Sequence, residues 1–173
     1  MTAHIILLGY VILARFVELS ISWRNTRRLL ARGGYEVGRK HYPLIVVIHV
    51  TWVLALALLV PTDTPPLPHF LIPFMLVQVI RYWAIRSLGV RWTTRIIVVP
   101  GAALVTHGPY RWLRHPIYLV VIAEIALLPL VFGAWEISLG FSVANAAMLL
   151  YRIRVEEAAL SSSRIARDDQ YFS

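Results

Sequence analysis

Residues 106–118 read THGPYRWLRHPIY, and this stretch is the densest group of polar and aromatic side chains in an otherwise apolar chain. The Gly-Pro pair inside it is typical of a turn. Pro116 suits the first turn of a helix, where its missing N–H group costs nothing. The stretch therefore predicts a structured loop and a helix that begins near Pro116. Arg114 and His115 would lie at that helix N-terminus, where free backbone N–H groups favour a negatively charged group.

The composition places the chain in a membrane. Its 173 residues have the length of one domain, which we take as residues 1–173. The chain is 58% hydrophobic with a mean hydropathy of +0.67, which is more apolar than an ordinary soluble domain. Cysteine is absent, which excludes disulfides and thiolate chemistry.

Five apolar segments set the expected fold. They cover residues 5–21, 44–60, 70–88, 117–128 and 132–151. A helix needs about 20 apolar residues to cross the roughly 30 Å hydrocarbon core of a bilayer. The fourth segment is short, and it spans the core when it continues through Pro129 to a turn at Gly133. We expect an all-α, polytopic membrane protein with five transmembrane helices, in which the last two form a helical hairpin.

The basic residues predict the orientation of these spans. They lie at alternate boundaries, at positions 24, 27, 28, 32, 39 and 40, then 81, 86, 91, 95, 111 and 114, then 152, 154, 164 and 167. The N-terminus, residues 61–69 and residues 133–136 carry no Lys or Arg. This is the positive-inside pattern, so it predicts an N-terminus outside and a C-terminus in the cytoplasm. Arg15 is then the only basic residue away from the cytoplasmic ends.

Several polar side chains fall inside the apolar segments: Arg15, Glu18, His49, Glu124 and Asn145. Ionisable groups inside membrane spans are costly and are candidates for function. One interpretation is structural, with Arg15 paired to Glu18 or Glu124 and Asn145 bonded to a neighbouring helix. The other is a pocket that receives the head group of a lipid.

Two cytoplasmic segments have a distinct character. Residues 91–105 are rich in β-branched side chains and predict an extended segment. Residues 24–40 are strongly basic, and the adjacent glycines at 33 and 34 predict the end of the first helix. This basic loop either fixes orientation against anionic lipid or covers a substrate site.

Two motifs carry a family resemblance. The patterns GPYxxxRHPxY at 108–118 and RxxxEExxL at 152–160 resemble the signature of the isoprenylcysteine carboxyl methyltransferase family. The resemblance covers roughly residues 89–160 and implies an integral membrane enzyme that uses S-adenosyl-L-methionine. The charge pattern predicts that both motifs, and with them the active site, lie on the cytoplasmic side. Residues 24–49 are similar to a bacterial branch linked to O-methylation of long-chain alkylpyrones and phenolic lipids, which implies a bacterial plasma membrane.

The resemblance also implies roles for individual residues. The cofactor-binding group would be Ala102, Ala103, Leu104, Val105, Tyr110, Arg114, His115, Pro116, Ile117, Tyr118 and Glu156. Arg152 would face the methyl acceptor. Arg152 and Glu156 are four residues apart, which in isolation is typical of a weak surface ion pair. The hairpin, however, brings both to the level of the helix start at Pro116. There Glu156 suits the positive groups of the cofactor, and the helix N-terminus suits its carboxylate.

The acceptor decides whether a base is needed. An isoprenylcysteine-like carboxylate is already ionised, and Arg152 would align it. The hydroxyl of an alkylpyrone or phenolic lipid needs deprotonation, for which His49 or His115 is the candidate base.

Other functions are compatible with the same pattern. A phospholipid N-methyltransferase would differ only in its acceptor. A sterol-reductase relative using NADPH would need more spans and more basic residues. A small membrane scaffold or half of a transporter would bind no cofactor. The sequence has no dinucleotide or phosphate-binding glycine loop and no set of Cys or His ligands, so it predicts no metal and no nucleic-acid partner.

Overall fold

The structure, a computed structural model, describes residues 2–171 and is mostly helical. Its five α-helices are α1 (Ala3–Leu30), α2 (Tyr42–Leu59), α3 (Pro68–Leu88), α4 (Pro116–Val131) and α5 (Trp135–Tyr171). Each contains one of the five predicted apolar segments. A small antiparallel sheet of two strands, β1 (Tyr35–Val37) and β2 (Ile96–Val98), adds to the expected all-α fold.

Proline and glycine set the helix boundaries. A proline lies in the first turn of α2, α3 and α4, where its missing N–H is tolerated. The tight turn between α4 and α5 contains Gly133 at φ +70°, as the hairpin prediction requires. Pro129 lies inside α4, which continues to Val131. Gly33 follows α1 at φ +80°, so the predicted end of the first helix is also confirmed.

In the part of the chain that the structure describes, three helical stretches are long and apolar enough to cross a membrane: Ala3–Leu30, Arg39–Leu59 and Pro68–Arg91. Helix α4 is apolar but has 16 residues. At 1.5 Å per residue it is about 24 Å long, which is less than the roughly 30 Å of the hydrocarbon core. Five spans and the sidedness of the termini therefore stay predictions.

The apolar core occupies the half of the bundle that lies away from residues 106–118. It is formed by Val11, Trp52, Leu56, Val60, Phe74, Ile125, Leu128, Val131 and Phe132. These residues come from the start of α1 and α3 and from the ends of α2 and α4. Large apolar side chains such as Leu13, Leu58 and Val79 are exposed on the outer surface, as expected for helices that contact lipid.

A buried ion cluster lies next to this core. Arg15 donates to Glu18 at 2.7 Å and to Glu124 at 2.6 Å, so the predicted pairing of Arg15 is confirmed. Arg81 donates to Glu18 at 2.6 Å and to Glu124 at 3.1 Å. Arg81, which the charge pattern counts among the cytoplasmic basic residues, is 4% exposed and neutralises the two carboxylates together with Arg15, so it is a buried ion-pair partner and not a free charge at the boundary.

The two strands fold the basic loop back against α5. Residues Tyr35–Val37 pair with Ile96–Val98, and the Arg95 guanidinium lies 2.9 Å from the Glu36 carboxylate. The predicted extended segment is thus confirmed at β2. Gly38 follows β1 at φ +67°, and a Cβ there would clash with the His41 ring and lie 3.0 Å from Val155. This close approach requires glycine and places the loop beside Val155 of α5.

Candidate functional site

Tyr118, in the first turn of α4, joins α4 to α5. Its hydroxyl donates a hydrogen bond to the Glu156 carboxylate, and it accepts one from Arg152 Nε at 2.9 Å. The phenol thus uses its proton toward Glu156 and a lone pair toward Arg152. Within the described part of the chain no direct ion pair joins Arg152 to Glu156. The two α5 residues are therefore held apart by a shared tyrosine.

Arg152 is fixed on two sides and is only 7% exposed. Its Nη2 donates to the Thr94 carbonyl at 2.8 Å, and its guanidinium lies 5.7 Å from the centre of the Tyr118 ring. The Thr94 hydroxyl is in turn bonded to Ser22 at 2.9 Å and to Tyr42 at 3.1 Å. Arg152 is consequently positioned by α4 and by the segment before β2, which is itself anchored to α1 and α2.

His115 lies at the start of α4 beside this group. Its ring stacks on Tyr118 with centroids 5.3 Å apart, and its Nε2 lies 3.4 Å from the carboxylate of Glu157. Among residues 2–171 no side chain caps the helix that begins at Pro116. The Tyr118 N–H donates to the His115 carbonyl at 3.1 Å and Pro116 has no N–H, so the N–H of Ile117 is the one left for a ligand or water.

Other predicted cofactor residues surround this helix start. Residues 102–105 are irregular and mostly exposed, and the carbonyl of Ala103 accepts a hydrogen bond from Arg91. The hydroxyl of Tyr110 is buried without a partner among residues 2–171. Burial and the nearby Glu156 carboxylate raise the pKa of Tyr110, so the phenol keeps its proton and can donate it in a hydrogen bond.

Two predicted site residues lie apart from this group. Arg114 is exposed, and no hydrogen bond or ion pair links it to the site within the described residues. His49 lies on α2 with Nδ1 2.8 Å from the Ile45 carbonyl. In the neutral ring the proton is therefore assigned to Nδ1, which leaves Nε2 as an acceptor.

The structure thus brings together Arg152, Tyr118, Glu156 and His115. Sequence reasoning missed Thr94, which positions Arg152 through its backbone carbonyl. A backbone carbonyl has no residue signature, so only the neighbouring polar pair at 93–94 could have drawn attention to it. Among residues 2–171, no group of three or more His, Asp or Glu side chains is arranged to hold a metal ion.

Comparison with known proteins gives the site its context. The chain is 40% identical over 159 residues to the uncharacterized protein YpbQ of Bacillus subtilis, an alignment that covers 90% of this chain and 95% of that relative. It is 26% identical over 158 residues to an uncharacterized protein of Haemophilus influenzae, covering 87% of this chain and 91% of the relative. No solved structure matches. The model of the isoprenylcysteine carboxyl methyltransferase family matches residues 70–162, more than half of the chain and the whole of both motifs, and the chain therefore belongs to this family of membrane methyltransferases.

Proposed function

We propose that the chain is an integral membrane O-methyltransferase that transfers a methyl group from S-adenosyl-L-methionine to a lipophilic acceptor at the cytoplasmic interface. The observation that carries the proposal is the Tyr118 bridge. It links a buried arginine and a carboxylate through one phenol hydroxyl at the start of α4. The whole chain acts as one domain, and residues 89–160 form its cofactor-binding part.

The residues present fit this cofactor. Glu156 offers a carboxylate to the positive groups of the cofactor, and the helix N-terminus with the free N–H of Ile117 suits its carboxylate. Tyr110 adds a buried, protonated phenol with no protein partner among the described residues. The exposed backbone of 102–105 and the turn at 115–118 complete the binding group. When bound, the cofactor supplies a methyl carbon that an oxygen nucleophile attacks in line.

Arg152 is the residue that meets the acceptor in this proposal. A guanidinium has five N–H donors, and two of those of Arg152 bond to Tyr118 and Thr94 in the described residues. Others are available to align an acceptor oxygen and to stabilise its negative charge in a partly dehydrated site. Arg152 keeps its proton throughout and does not act as the base.

The acceptor classes are the hydroxyl of an alkylpyrone or phenolic lipid and an isoprenylcysteine-like carboxylate. With a hydroxyl acceptor, its proton passes to a ring nitrogen of His49 or His115. The tautomer of His49 supports this role, because its bond to Ile45 leaves Nε2 with a lone pair. A carboxylate acceptor needs neither histidine.

The proposal includes five spans, with the N-terminus outside and the C-terminus in the cytoplasm. Support comes from the basic residues at alternate boundaries, even after Arg81 is removed from that set. It also comes from the tight turn at Gly133, which returns α5 alongside α4 to the level of Tyr118. We place the protein in the bacterial plasma membrane with the site on the cytoplasmic side.

Titration of the detergent-purified protein with S-adenosylhomocysteine tests the cofactor site. We expect the parent protein to bind it. Glu156→Gln should weaken binding by about 1.5–3 kcal/mol, because a charge-assisted contact is lost. The neighbouring Glu157→Gln is the matched control, since that side chain is 51% exposed and should change affinity little. Equal affinities for the parent and Glu156→Gln would refute the role of Glu156.

A panel of acceptors tests the reaction class. Methyl transfer to a long-chain alkylpyrone, a long-chain alkylphenol or a prenylated cysteine supports the proposal. Transfer to phosphatidylethanolamine alone would instead assign phospholipid N-methylation, and absence of cofactor binding would favour a non-enzymatic membrane protein.

A further inference from the structure

The basic stretch at residues 24–40 is divided into two parts by the structure. The first part, through Leu30, belongs to α1, and a later part forms β1, which pairs with β2. The ion pair between Glu36 and Arg95 holds that later part against the protein. The helical part instead leaves its arginines, at positions 24, 27 and 28, exposed on an outer surface.

This outer surface of α1 lies opposite the packed side of the helix. The buried side chains of its later turns recur every three or four residues: Glu18, Ser22, Asn25 and Leu29. Exposed side chains with the same spacing occupy the opposite side, and we call them the α1 outer stripe: Phe16, Ser20, Trp23, Arg24 and Arg27. The Phe16 and Trp23 side chains are 65% and 61% exposed. The stripe is therefore apolar where it begins and basic where it ends.

An open hollow lies on the stripe. Its volume is about 410 Å³, and it is lined by Phe16, Leu19, Ser20, Trp23 and Arg24. The Ser20 hydroxyl donates to the Phe16 carbonyl at 2.9 Å, so its proton is used within the helix. At the other end, the Arg27 guanidinium lies 4.9 Å from the centre of the Trp23 ring. The hollow is thus apolar along its length and cationic at one end.

The contact with Trp23 leaves Arg27 able to bind a phosphate. A guanidinium over an aromatic ring uses its flat face, so its five N–H donors stay at the edge. Two of these donors can hold two oxygens of one phosphate. In the described part of the chain, no ion pair joins Arg24 or Arg27 to an acidic side chain. Both guanidinium groups therefore remain available to an external anion.

The length of α1 brings these arginines to the level of lipid head groups. Its 28 residues extend about 42 Å, whereas the hydrocarbon core is roughly 30 Å thick. The apolar run ends at Ile21 and is followed by Trp23, a residue type that is enriched at membrane–water interfaces. Arg24 and Arg27 then meet the phosphate layer, while Phe16 lies beside the acyl chains.

We propose that the α1 outer stripe binds one anionic phospholipid. Arg24 and Arg27 hold its phosphate, and one of its acyl chains lies in the hollow between Phe16 and Trp23. A zwitterionic phospholipid lacks the net negative charge that a basic cluster attracts. A second copy of the chain is disfavoured here, because two copies would bring their arginines together. The site is separate from Tyr118 and does not depend on methyl transfer.

Fluorescence quenching by phospholipids with brominated acyl chains tests this site. The full chain in micelles is titrated with brominated phosphatidylglycerol and, in parallel, with brominated phosphatidylcholine. The part of the quenching that is missing in Trp23→Phe comes from the hollow. We expect that part to reach half-saturation at an about five-fold or more lower concentration of phosphatidylglycerol than of phosphatidylcholine.

A substitution that conserves charge separates a built site from diffuse attraction. Lysine keeps the positive charge of Arg27, but it lacks the planar group that stacks on Trp23 and binds a phosphate with two donors. Arg27→Lys and Arg24→Gln should each weaken phosphatidylglycerol binding about five-fold. Arg39→Lys is the matched control, because Arg39 is exposed in the same basic stretch but lies outside α1. It should bind as the parent protein does.

Folding is checked by melting temperature, which should stay at the value of the parent protein because all three substituted side chains are exposed. Three results would overturn the site. The first is equal quenching by the two phospholipids in the parent protein, and the second is an equal effect of Arg27→Lys and Arg39→Lys, which would indicate diffuse attraction. The third is a concentration-dependent dimer that dissociates in Trp23→Ala, which would assign the stripe to a second copy of the chain.

Discussion

Replacing Arg81 by methionine tests the buried ion cluster. The side chain is 4% exposed, and it donates twice to Glu18, at 2.6 Å each, and once to Glu124 at 3.1 Å. Arg81→Met leaves two carboxylates sharing Arg15 alone. Removal of one partner from a buried ion pair costs about 3–5 kcal/mol, and methionine fills a similar space. We expect a loss of stability in that range.

A second substitution should recover part of this loss. In the double variant Arg81→Met, Glu18→Gln, one charge of each sign is gone. The remaining Arg15 and Glu124 form a neutral pair at 2.6 Å. The double variant should therefore be more stable than the sum of the two single effects predicts. The coupling energy should lie toward the top of the roughly 0.5–3 kcal/mol range found for interacting residues.

Equilibrium unfolding in mixed micelles, followed by far-UV circular dichroism, measures these differences. Arg86→Met is the control, because Arg86 lies on the same helix and is exposed. Its replacement should change stability by less than about 0.5 kcal/mol. Strictly additive effects of Arg81→Met and Glu18→Gln, or equal stability of Arg81→Met and Arg86→Met, would refute the reasoning.

Three further predictions concern the reaction, the topology and the loop. Arg152→Lys should keep S-adenosylhomocysteine affinity near normal and lower turnover about ten-fold or more, because a lysine ammonium does not replace the planar guanidinium. If titration and rate assays showed that affinity and turnover fall in parallel, Arg152 would belong to the cofactor site. Because the chain has no cysteine, a single cysteine introduced in the loop at 61–67 can be labelled selectively, and it should react with a membrane-impermeant reagent added to intact cells. A reporter fused after Ser173 should give a cytoplasmic signal. Signals on the same side of the membrane would contradict the five-span topology. Gly38→Ala should lower the free energy of unfolding by about 1–2 kcal/mol or more, because the residue has φ +67° and its Cβ would clash with His41. A melting temperature equal to that of the parent protein would contradict this packing.

Apolar runs, together with proline and glycine at the helix boundaries, were enough to predict the helices. Apolar runs marked all five, and Pro116 and Gly133 marked the start and the end of the α4 unit. Strand β1 has three residues and pairs with a strand some 60 positions away. A three-residue strand leaves no recognisable sequence pattern, and no local pattern identifies a distant pairing partner. Of the two strands, only β2 could therefore be predicted.

Side-chain partners were harder to predict than helices. Counting charges along the chain put Arg81 at the cytoplasmic boundary, because a sequence does not show which face of α3 meets Glu18 and Glu124. At the site, spacing and the family resemblance identified Arg152 and Glu156 as a pair. The insertion of Tyr118 between them depends on the rotation of two helices about their axes, which spacing alone does not determine.

The distribution of charge within the ion cluster has a consequence for how the protein enters the bilayer. Arg15 and Glu18 lie on the same helix, three residues apart and 2.7 Å from each other, so α1 carries its own counter-ion during insertion. The other two charges have no counter-ion on their own helices: Arg81 lies on α3, which carries no acidic residue, and Glu124 lies on α4, which carries no basic residue. An isolated charge in lipid is costly, so α3 and α4 are poorly suited to insert independently. We therefore expect biogenesis to proceed by delivery of α1 first, followed by joint insertion of α3 and α4 against it.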